Sequence, residues 1–317
     1  MGEFELIERH FQRPVRRAVL GVGDDCALVA PDPGMQLAVS TDMLVEGRHF
    51  LATVPPARLG HKALAVNLSD LAACGAEPLA FTLALALPRA DEAFVEPFAR
   101  GLLALADAHG IELVGGDTTA GPLAISITVF GQVPPGQALL RSGARPGDDL
   151  WASGLLGDAR LALEVFRGTV SLPGDGFEQA RRAMETPTPR VALGLALRGV
   201  ASAAIDLSDG LVGDLGHVLA RSGVGATVDA DALPRSALLA AQPRALQLEC
   251  VVAGGDDYEL LFTAPPARRD AVLQAGQRAG VDVSRCGRIE AEPGLRLVDG
   301  DGRPLAARFR AFDHFAP

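Results

Sequence analysis

Lysine is almost absent from this chain of 317 residues, because Lys62 is its single lysine and arginine supplies the other fixed positive charges. Lysine and arginine together number 29 against 39 aspartates and glutamates, so the formal net charge is −10. A nucleic-acid-binding protein would carry a basic surface, and this balance argues against one. Any phosphate chemistry must therefore rely mostly on arginine, backbone amides or metal ions.

Paired cysteines and long apolar runs are missing as well. The four cysteines form no C-x-x-C pair, which argues against disulfides and against a zinc site. The most apolar stretch, residues 78–88, is too short to span a bilayer. The charged opening MGEFELIERHF lacks the apolar centre of a signal peptide. We therefore expect a cytoplasmic protein that has no membrane partner.

Short apolar runs alternate with longer helical patterns, which is typical of mixed α/β structure. The length favours two domains, and the turn-rich segment 137–147 predicts a division into residues 1–142 and 143–317. Strands are predicted at 35–40, 79–87, 111–114, 123–133, 150–152, 203–205, 226–228, 248–252, 259–263 and 295–298. Helices are predicted at 56–74, 91–109, 158–166, 177–185, 189–198, 208–221 and 267–279.

Aspartates recur beside Gly, Ser or Thr where apolar runs end, in GVGDD, STD, NLSD, GGDTT, DLSD and GGDD. A single aspartate of this kind is usually a turn residue or a helix cap, but six such places exceed what turns require. Asp70 is the hardest to explain as a surface residue, since apolar residues flank it in a predicted helix and Asn67 shares its face. Carboxylate and hydroxyl oxygens suit Mg²⁺ bridged to phosphates.

Other phosphate-binding and catalytic motifs are absent. The chain has no G-x-x-x-x-G-K-[ST] loop, no H-x-x-x-H pair and no nucleophile elbow. Gly21-Val-Gly23 resembles the start of a dinucleotide fingerprint, but Asp24 and Asp25 follow it, and two carboxylates there would repel a pyrophosphate.

The motifs, taken in order, resemble those of the thiamine-monophosphate kinase family, within the wider aminoimidazole-ribonucleotide-synthetase-like superfamily. The resemblance covers almost the whole chain. The similar segments are GEFELI, GVGDDCAL, STDMLVEGRHF, GHKALAVNLSDLAACGAEP, VGGDTTAG, LRSGARPGD, IDLSDGLVGDLGHV, GGDDYELLF and FDHF.

This resemblance implies an α/β (α+β) protein with a two-domain synthetase-like fold, in which mixed sheets pack with helices. It implies that the first domain binds ATP and metal and forms the sheet of a homodimer, while the second completes the active site. The implied activity is transfer of the ATP γ-phosphoryl group to thiamine monophosphate, with several Mg²⁺ ions and ATP as co-substrate. No residue is implied as an acid, a base or a nucleophile, and the transfer is expected to be direct and in line.

The resemblance also implies roles for individual residues, matched position by position. The implied metal ligands are Asp25, Ser40, Thr41, Asp42, Asp70, Asp117, Asp206 and Asp209. The implied ATP contacts are Gly116, Asp117, Arg141 and Ser208, and the implied contacts to thiamine monophosphate are His49, Asp256 and Phe312.

Three positions depart from the family pattern. Asp256 stands where the family usually has Glu, and Ala120 stands where it often has Arg. Phe312 replaces a common Trp or Tyr, which keeps a stacking face for the thiamine rings but loses a polar group. These departures bear on substrate affinity more than on the metal set.

Several residues also have ordinary structural explanations. Ser208 is equally explained as a helix cap, and His49 either as a surface residue or as one whose hydrogen bonds are satisfied. Trp151 and Tyr258 are expected to pack in the core. Lys62 is explained as a solvated residue near the start of its helix.

Two other functions remain open from the sequence. The first is another ATP-dependent enzyme of the same superfamily, although a reactive Cys and Lys near the N-terminus, as in selenophosphate synthetase, are not evident. The second is a non-catalytic relative that binds nucleotide or cations, in which several acidic ligands should have been lost. Here each matched acidic metal position is still acidic.

Overall fold

The computed structural model describes residues 3–305 and 309–312, and they divide into two units. The first unit comprises the chain up to Leu71 together with Ala76–Gly136. The second comprises Ala72–Gly75 and the chain from Gln137 onward. The predicted boundary after residue 142 lies close to this division, and the roles assigned to the two domains stay predictions.

The first unit is a four-stranded sheet with helices. Its elements are α1 (Glu3–His10), β1 (Gln36–Val45), α2 (Pro56–Ala73), β2 (Glu77–Leu87), α3 (Glu92–His109), β3 (Glu112–Ala120) and β4 (Ala124–Val133). The strand order is β1-β4-β2-β3, in which β2 and β3 are parallel and the other neighbours are antiparallel. The sheet is therefore mixed, as the resemblance implies.

The two faces of this sheet differ. Leu83 and Leu85 of β2 are buried on the same face as Leu44 of β1, which we call the helix face because its Ser40 hydroxyl contacts Asp70 of α2. Side chains alternate between faces along a strand. The opposite face, which we call the open face, exposes Leu37, Val39 and Met43 of β1 by 46%, 55% and 58%. At one end of the sheet, apolar residues of the segment 15–29 pack against the buried cluster of Leu79, Ala80 and Val114, as Phe130 does.

Helices α2 and α3 begin and end within one residue of the predicted bounds 56–74 and 91–109. The Asp91 side chain accepts a hydrogen bond from the Ala93 N–H at the start of α3, and Gly110 ends that helix with a φ of 62°. Gly75, Gly199 and Gly223 likewise adopt positive φ, where a residue with a Cβ is disfavoured. Because such residues can be recognised in the sequence, the helix bounds could be predicted from it.

The second unit is built on a six-stranded sheet with the order β10-β7-β9-β5-β8-β6. Its strands are β5 (Asp149–Ser153), β6 (Ala203–Asp206), β7 (Gly225–Asp229), β8 (Leu260–Ala264), β9 (Val283–Glu290) and β10 (Gly294–Val298). Its helices are α4 (Asp158–Phe166), α5 (Gly174–Glu185), α6 (Val191–Ala196), α7 (Leu211–Ser222), α8 (Ala237–Ala240), α9 (Arg244–Ala253) and α10 (Arg269–Ala279). Trp151 and Tyr258 are buried here, which confirms their prediction as core residues.

Some element predictions are wrong or incomplete. Residues 248–252 were expected to form a strand, but they lie inside helix α9 (Arg244–Ala253). A short apolar run without alternation does not distinguish a buried strand from a buried helix, which is the physical reason for the error. Strand β9 and helices α1 and α8 had no predicted counterpart, and burial in β9 does not alternate, because its buried residues, Cys286 and Ile289, are three positions apart.

The helices can also be compared with the requirements for crossing a bilayer. None within residues 3–305 and 309–312 combines the necessary length with the necessary hydropathy.

Candidate active site

Three of the predicted metal ligands lie together on the helix face of the first unit. The Ser40 hydroxyl donates a hydrogen bond of 2.5 Å to Asp70 Oδ2, which joins β1 to α2. The Asp42 backbone N–H donates to Asn67 Oδ1 at 3.1 Å, one helical turn from Asp70. Asn67 is itself buried and donates to the Ala63 carbonyl. We call Ser40, Asp42 and Asp70 the helix-face group, and the predicted shared face of Asn67 and Asp70 is confirmed by these contacts.

Thr41 and Asp117 lie on the open face of the same sheet. Thr41 pairs with Thr128, and the two hydroxyls are 2.8 Å apart. Asp117 pairs with Ala84, and both are exposed. Asp25 is exposed in the segment 15–29 that packs at one end of the sheet. Ser40, Thr41 and Asp42 therefore do not form one side-chain cluster, because they alternate between the two faces of the sheet.

The GGDTT motif was expected to follow the strand predicted at 111–114, and the structure places it differently. These residues lie within β3 (Glu112–Ala120) instead of in a loop after it. Over residues 3–305 and 309–312, no three side chains of the types His, Cys, Asp or Glu lie close enough together to hold a metal ion.

Gly116 is constrained by the sheet itself. Its φ is 149°, and an added Cβ would lie 1.9 Å from the carbonyl oxygen of Leu83 on β2. This position requires glycine for the close approach of β3 to β2, independently of any contact to a nucleotide.

We expect Gly116→Ala to lower the free energy of unfolding by at least about 2 kcal/mol, because it adds both a backbone clash and an unfavourable φ. Gly34→Ala is the matched control, since Gly34 also has a positive φ, of 84°, but a Cβ added there would have nothing within 4 Å. Thermal unfolding followed by circular dichroism compares the two. Equal stability of the two variants would contradict the steric argument.

His49 is held by its own segment and by the single lysine. Its Nδ1 accepts a hydrogen bond of 3.0 Å from the Val45 N–H, so the neutral ring carries its proton on Nε2 and can donate from there. Lys62 donates from Nζ to the His49 carbonyl at 3.3 Å. Lys62 is only 2% exposed, so its interpretation as a solvated residue is wrong; α2 carries it into the core of the unit.

In the second unit, the predicted residues collect where two strands end. Asp206 is the last residue of β6 and is buried, and the loop Leu207–Gly210 follows it. The Leu207 N–H donates to the Glu259 carbonyl, and the Tyr258 N–H donates to the Leu207 carbonyl. These bonds extend the pairing of β6 with β8 beyond the strands. Ser208 does not cap helix α7, because α7 begins at Leu211 and its N-cap residue is Gly210.

The loop Gly254–Tyr258 packs directly on Ser208. The Asp256 N–H donates to the Ser208 carbonyl at 2.9 Å, and a Cβ on Gly255 would lie 2.3 Å from that same oxygen. Asp256 has a φ of 69°, which is rare for a residue other than glycine, and its carboxylate accepts a hydrogen bond from the Tyr258 hydroxyl at 3.1 Å. Such strain is often found at functional sites.

Phe312 also contacts the loop Leu207–Gly210. Its backbone N–H donates to the Asp209 carbonyl at 3.1 Å, and 48% of the residue is exposed. Asp313, His314 and Phe315, which complete the FDHF motif, lie outside the described residues, as does Gly2 of the GEFELI motif. The second unit thus brings Ser208, Asp209, Asp256 and Phe312 together.

Arg141 is exposed, and its carbonyl accepts a hydrogen bond from the Ser222 hydroxyl at 3.2 Å. The same hydroxyl accepts from the Gly143 and Ala144 N–H groups, so Ser222 fixes the backbone of the LRSGA segment. Ala120 ends β3 and is exposed.

Sequence reasoning missed Asp214, one turn into α7. Its Oδ2 accepts hydrogen bonds of 3.1 Å from the N–H groups of Ser208, Asp209 and Gly210. Burial, together with the charge of Asp209, raises the pKa of Asp214 to about 7, although the three N–H donors oppose this shift. Nothing in the spacing of the sequence separates Asp214 from an ordinary acidic residue in a first helical turn.

Asp257 was also missed, although the GGDD motif contains it. Its carboxylate accepts from the Gly157 N–H at 2.9 Å and 3.1 Å, and burial raises its pKa well above the ordinary value for an aspartate. Asp257 therefore faces the start of α4, while its neighbour Asp256 faces Tyr258.

Comparisons with known proteins agree with this architecture. The N-terminal domain of AIR synthase related proteins matches residues 23–133, and the C-terminal domain of the same proteins matches residues 135–300. The chain therefore belongs to the AIR synthase related family. Within it, the chain groups with the thiamine-monophosphate kinases, as three similar proteins indicate.

The thiamine-monophosphate kinase of Salmonella typhimurium strain LT2 is 47% identical over 99% of this chain and 98% of its own length. The crystal structure of thiamine-monophosphate kinase from Stenotrophomonas maltophilia K279a has a TM-score of 0.86 and 46% identity, covering 95% of this chain and 96% of that one. A structure of AaThiL complexed with AMPPCP and TMP has a TM-score of 0.78 and 30% identity, and the match covers 90% of this chain and 89% of that one. The predicted two-domain synthetase-like fold is confirmed.

Proposed function

We propose that this protein is a thiamine-monophosphate kinase, which transfers the γ-phosphoryl group of ATP to thiamine monophosphate and forms thiamine diphosphate and ADP. The observation that carries this proposal is the 47% identity to a thiamine-monophosphate kinase over 99% of the chain. A relative of 30% identity binds AMPPCP, an ATP analogue, together with TMP. The proposed cellular location is cytoplasmic.

The first physical requirement of this reaction is charge neutralisation, because both reactants are polyanions. Two unit charges about 4 Å apart interact by roughly 4 kcal/mol at an effective dielectric constant near 20. With a single lysine in the chain, divalent cations are the available counter-charge. Bound Mg²⁺ would supply this neutralisation and would polarise the transferring phosphoryl group.

The residues of the first unit fit Mg²⁺ by the chemistry of their donors. The Ser40 hydroxyl and the Asp70 carboxylate already meet at 2.5 Å, and hard oxygen ligands of this kind are those that Mg²⁺ prefers. We propose that Ser40, Asp42 and Asp70 hold one ion or more, and that Asp25, Thr41 and Asp117 serve a second group on the open face. Two separate groups of ligands are consistent with the expected binding of several Mg²⁺ ions.

The second unit offers further ligands and substrate contacts. We propose Asp206 and Asp209 as further metal ligands, with Ser208 contacting ATP. Gly116, Asp117 and Arg141 are the other proposed ATP contacts. His49, Asp256 and Phe312 are proposed to contact thiamine monophosphate, Phe312 by stacking.

The acceptor itself makes a general base unnecessary. A phosphate monoester has a second pKa of about 6, so it is mostly ionised near neutral pH and can attack without losing a proton. Positioning and charge neutralisation then supply the rate enhancement. We propose direct in-line transfer, and a ³²P-labelled protein trapped after brief incubation with labelled ATP alone would contradict it.

We expect the purified protein to release ADP from ATP only when thiamine monophosphate and Mg²⁺ are both present, because neither anion can approach the other without a cation. A coupled assay that follows ADP measures this, with EDTA and then excess Mg²⁺ as the reversible metal control. ADP release with other acceptors but not with thiamine monophosphate would favour another enzyme of the superfamily. No release with any acceptor would favour a nucleotide-binding relative.

A homodimer is also proposed, formed through the open face of the first sheet. This face exposes Leu37, Val39 and Met43 on an edge strand. Apolar side chains grouped on one exposed face are typical of an interface. The second copy of this chain is the proposed partner.

We expect the wild-type protein to have about twice the chain mass of 32.9 kDa in solution, and Met43→Lys to shift it toward the monomer because a charge would be buried at the interface. Light scattering coupled to size-exclusion chromatography measures this. Leu273→Lys, at another exposed apolar residue, in α10, is the matched control and should leave the mass unchanged. A wild-type mass equal to that of one chain would contradict the dimer.

A further inference from the structure

The loop Leu207–Gly210 carries a proposed ATP contact, Ser208, and a proposed metal ligand, Asp209, yet it forms no helix or strand of its own. Asp206 ends β6 and α7 begins at Leu211, so the N–H groups between them need partners outside regular structure. An unsupported loop would sample many conformations, and the side chains it carries would not stay in place.

One buried carboxylate supports this loop. Asp214 is 3% exposed, and its Oδ2 accepts three hydrogen bonds of 3.1 Å from the consecutive N–H groups of Ser208, Asp209 and Gly210. Three consecutive N–H groups that converge on one carboxyl oxygen define the path of the backbone closely, because each hydrogen bond fixes the distance and direction of its donor.

The carbonyl groups of the same loop hold the neighbouring segments. The Ser208 carbonyl accepts from the Asp256 N–H at 2.9 Å, and the Asp209 carbonyl accepts from the Phe312 N–H at 3.1 Å. Gly210 packs against the carbonyl oxygens at the end of α9, where an added Cβ would lie 2.9 Å from the Ala253 oxygen. A shift of the loop therefore moves both proposed contacts to thiamine monophosphate in this unit.

We propose that Asp214 is a positioning residue for the phosphoryl transfer, which fixes Ser208 and Asp209 directly and Asp256 and Phe312 through the carbonyls of the loop. This inference rests on the proposed function, since the roles of those four residues come from it. Asp214 itself touches neither substrate in this account; it acts by holding the loop in one conformation.

The test compares Asp214→Ala with the conservative variant Asp214→Asn and with a matched control. Alanine removes the acceptor, whereas asparagine keeps one oxygen that can face the three donors. Asp148→Ala is the control, because Asp148 is also buried in this unit and accepts from the Arg145 N–H and the Ser202 hydroxyl. For each variant, KM for thiamine monophosphate, KM for ATP, kcat and the melting temperature are measured.

We expect Asp214→Ala to raise KM for thiamine monophosphate about tenfold or more, and Asp214→Asn to restore it to within about threefold of wild type. The Asp148→Ala variant should melt at a lower temperature but keep KM within about twofold. If the role of Asp214 were purely structural, Asp214→Ala would lower the melting temperature without a specific effect on KM for thiamine monophosphate. If Asp214→Ala loses thermal stability while KM for thiamine monophosphate stays within about twofold, or if Asp148→Ala raises that KM equally, the proposal is overturned.

A second readout needs no turnover and also covers the case in which Asp214→Ala does not fold. Amide hydrogen exchange of residues 208–210 should be slow in the wild-type protein and faster in Asp214→Asn, while exchange in β8 stays the same. Unprotected amides at 208–210 in the wild type would overturn the proposal. A wild-type protein without thiamine-monophosphate-dependent ADP release would instead overturn the proposed function, and the exchange data would still decide whether Asp214 holds the loop.

Discussion

Replacing Asp70 by asparagine is expected to lower kcat/KM by about a thousandfold while the protein stays folded, since one group that stabilises transition-state charge is typically worth that much. Asp70 accepts the Ser40 hydroxyl at 2.5 Å and is proposed to hold Mg²⁺ with Ser40 and Asp42. An amide keeps the shape of the side chain but removes the charge that binds a divalent cation. The ADP-coupled assay at fixed Mg²⁺ measures the loss.

Asp107→Asn is the matched control for this variant. Asp107 lies on α3 of the same unit, its side chain is 63% exposed, and it pairs only at the surface with Arg13. The same chemical change there should leave kcat/KM within about twofold of wild type, because exposed ion pairs contribute little. If Asp70→Asn retained a third or more of wild-type activity at low Mg²⁺, the proposed role of the helix-face group would be wrong.

Glu259→Gln is expected to lower the free energy of unfolding of the second unit by about 3 kcal/mol or more, because breaking a buried ion pair leaves a charge without its partner. Glu259 is 5% exposed and accepts from Arg190 Nε at 2.7 Å, from Arg190 Nη2, and from the Ser153 hydroxyl at 2.5 Å. The Leu260 N–H in turn donates to Ser153, so the network ties the residue that precedes α6 to β5 and β8.

The single tryptophan reports on this unit. Trp151 lies on β5, is buried, and its ring stacks on Phe262 at 6.5 Å between centroids. Urea unfolding followed by its fluorescence therefore measures the stability of the sheet that contains the network. Glu178→Gln, which alters an exposed pair with Arg182 on α5, is the control and should change the stability by about 0.5 kcal/mol or less. If Glu259→Gln and Glu178→Gln unfolded at the same urea concentration, the buried ion pair would contribute no more than the exposed one, which would contradict this prediction.

Long helices and alternating strands could be predicted because their signals are local. The helix predicted at 56–74 is α2 (Pro56–Ala73), and the strand predicted at 123–133 is β4 (Ala124–Val133). Caps and side-chain alternation act within a few residues, so the sequence contains them completely. The face shared by Asn67 and Asp70 follows from helical spacing in the same way.

The arrangement of the candidate site could be predicted only in part, because it depends on pairing between distant segments. The three adjacent residues of the motif STD suggest side chains that lie together, yet Thr41 lies on the face of β1 opposite Ser40 and Asp42. The rule of alternation predicts this split once the three residues are known to form a strand. The predicted strand ends at residue 40, so the rule does not extend to Thr41 and Asp42.

Asp214 shows the other limit of sequence reasoning. Its role depends on a loop that returns over the first turn of α7 so that three N–H groups face one carboxylate. Irregular backbone has no periodicity from which such a return can be inferred. The misassigned segment 248–252 has a related cause, since its apolar run is compatible with either a strand or the buried helix α9.

The central claim is that this chain joins two phosphate-bearing reactants with the help of cations held by its carboxylates. ³¹P NMR of a reaction that contains ATP, thiamine monophosphate and the wild-type protein tests it most directly. We predict that thiamine diphosphate and ADP accumulate in equal amounts when Mg²⁺ is present, and that neither forms after EDTA treatment. ADP that accumulates with inorganic phosphate in place of thiamine diphosphate, or transfer that proceeds unchanged without a divalent cation, would contradict the account.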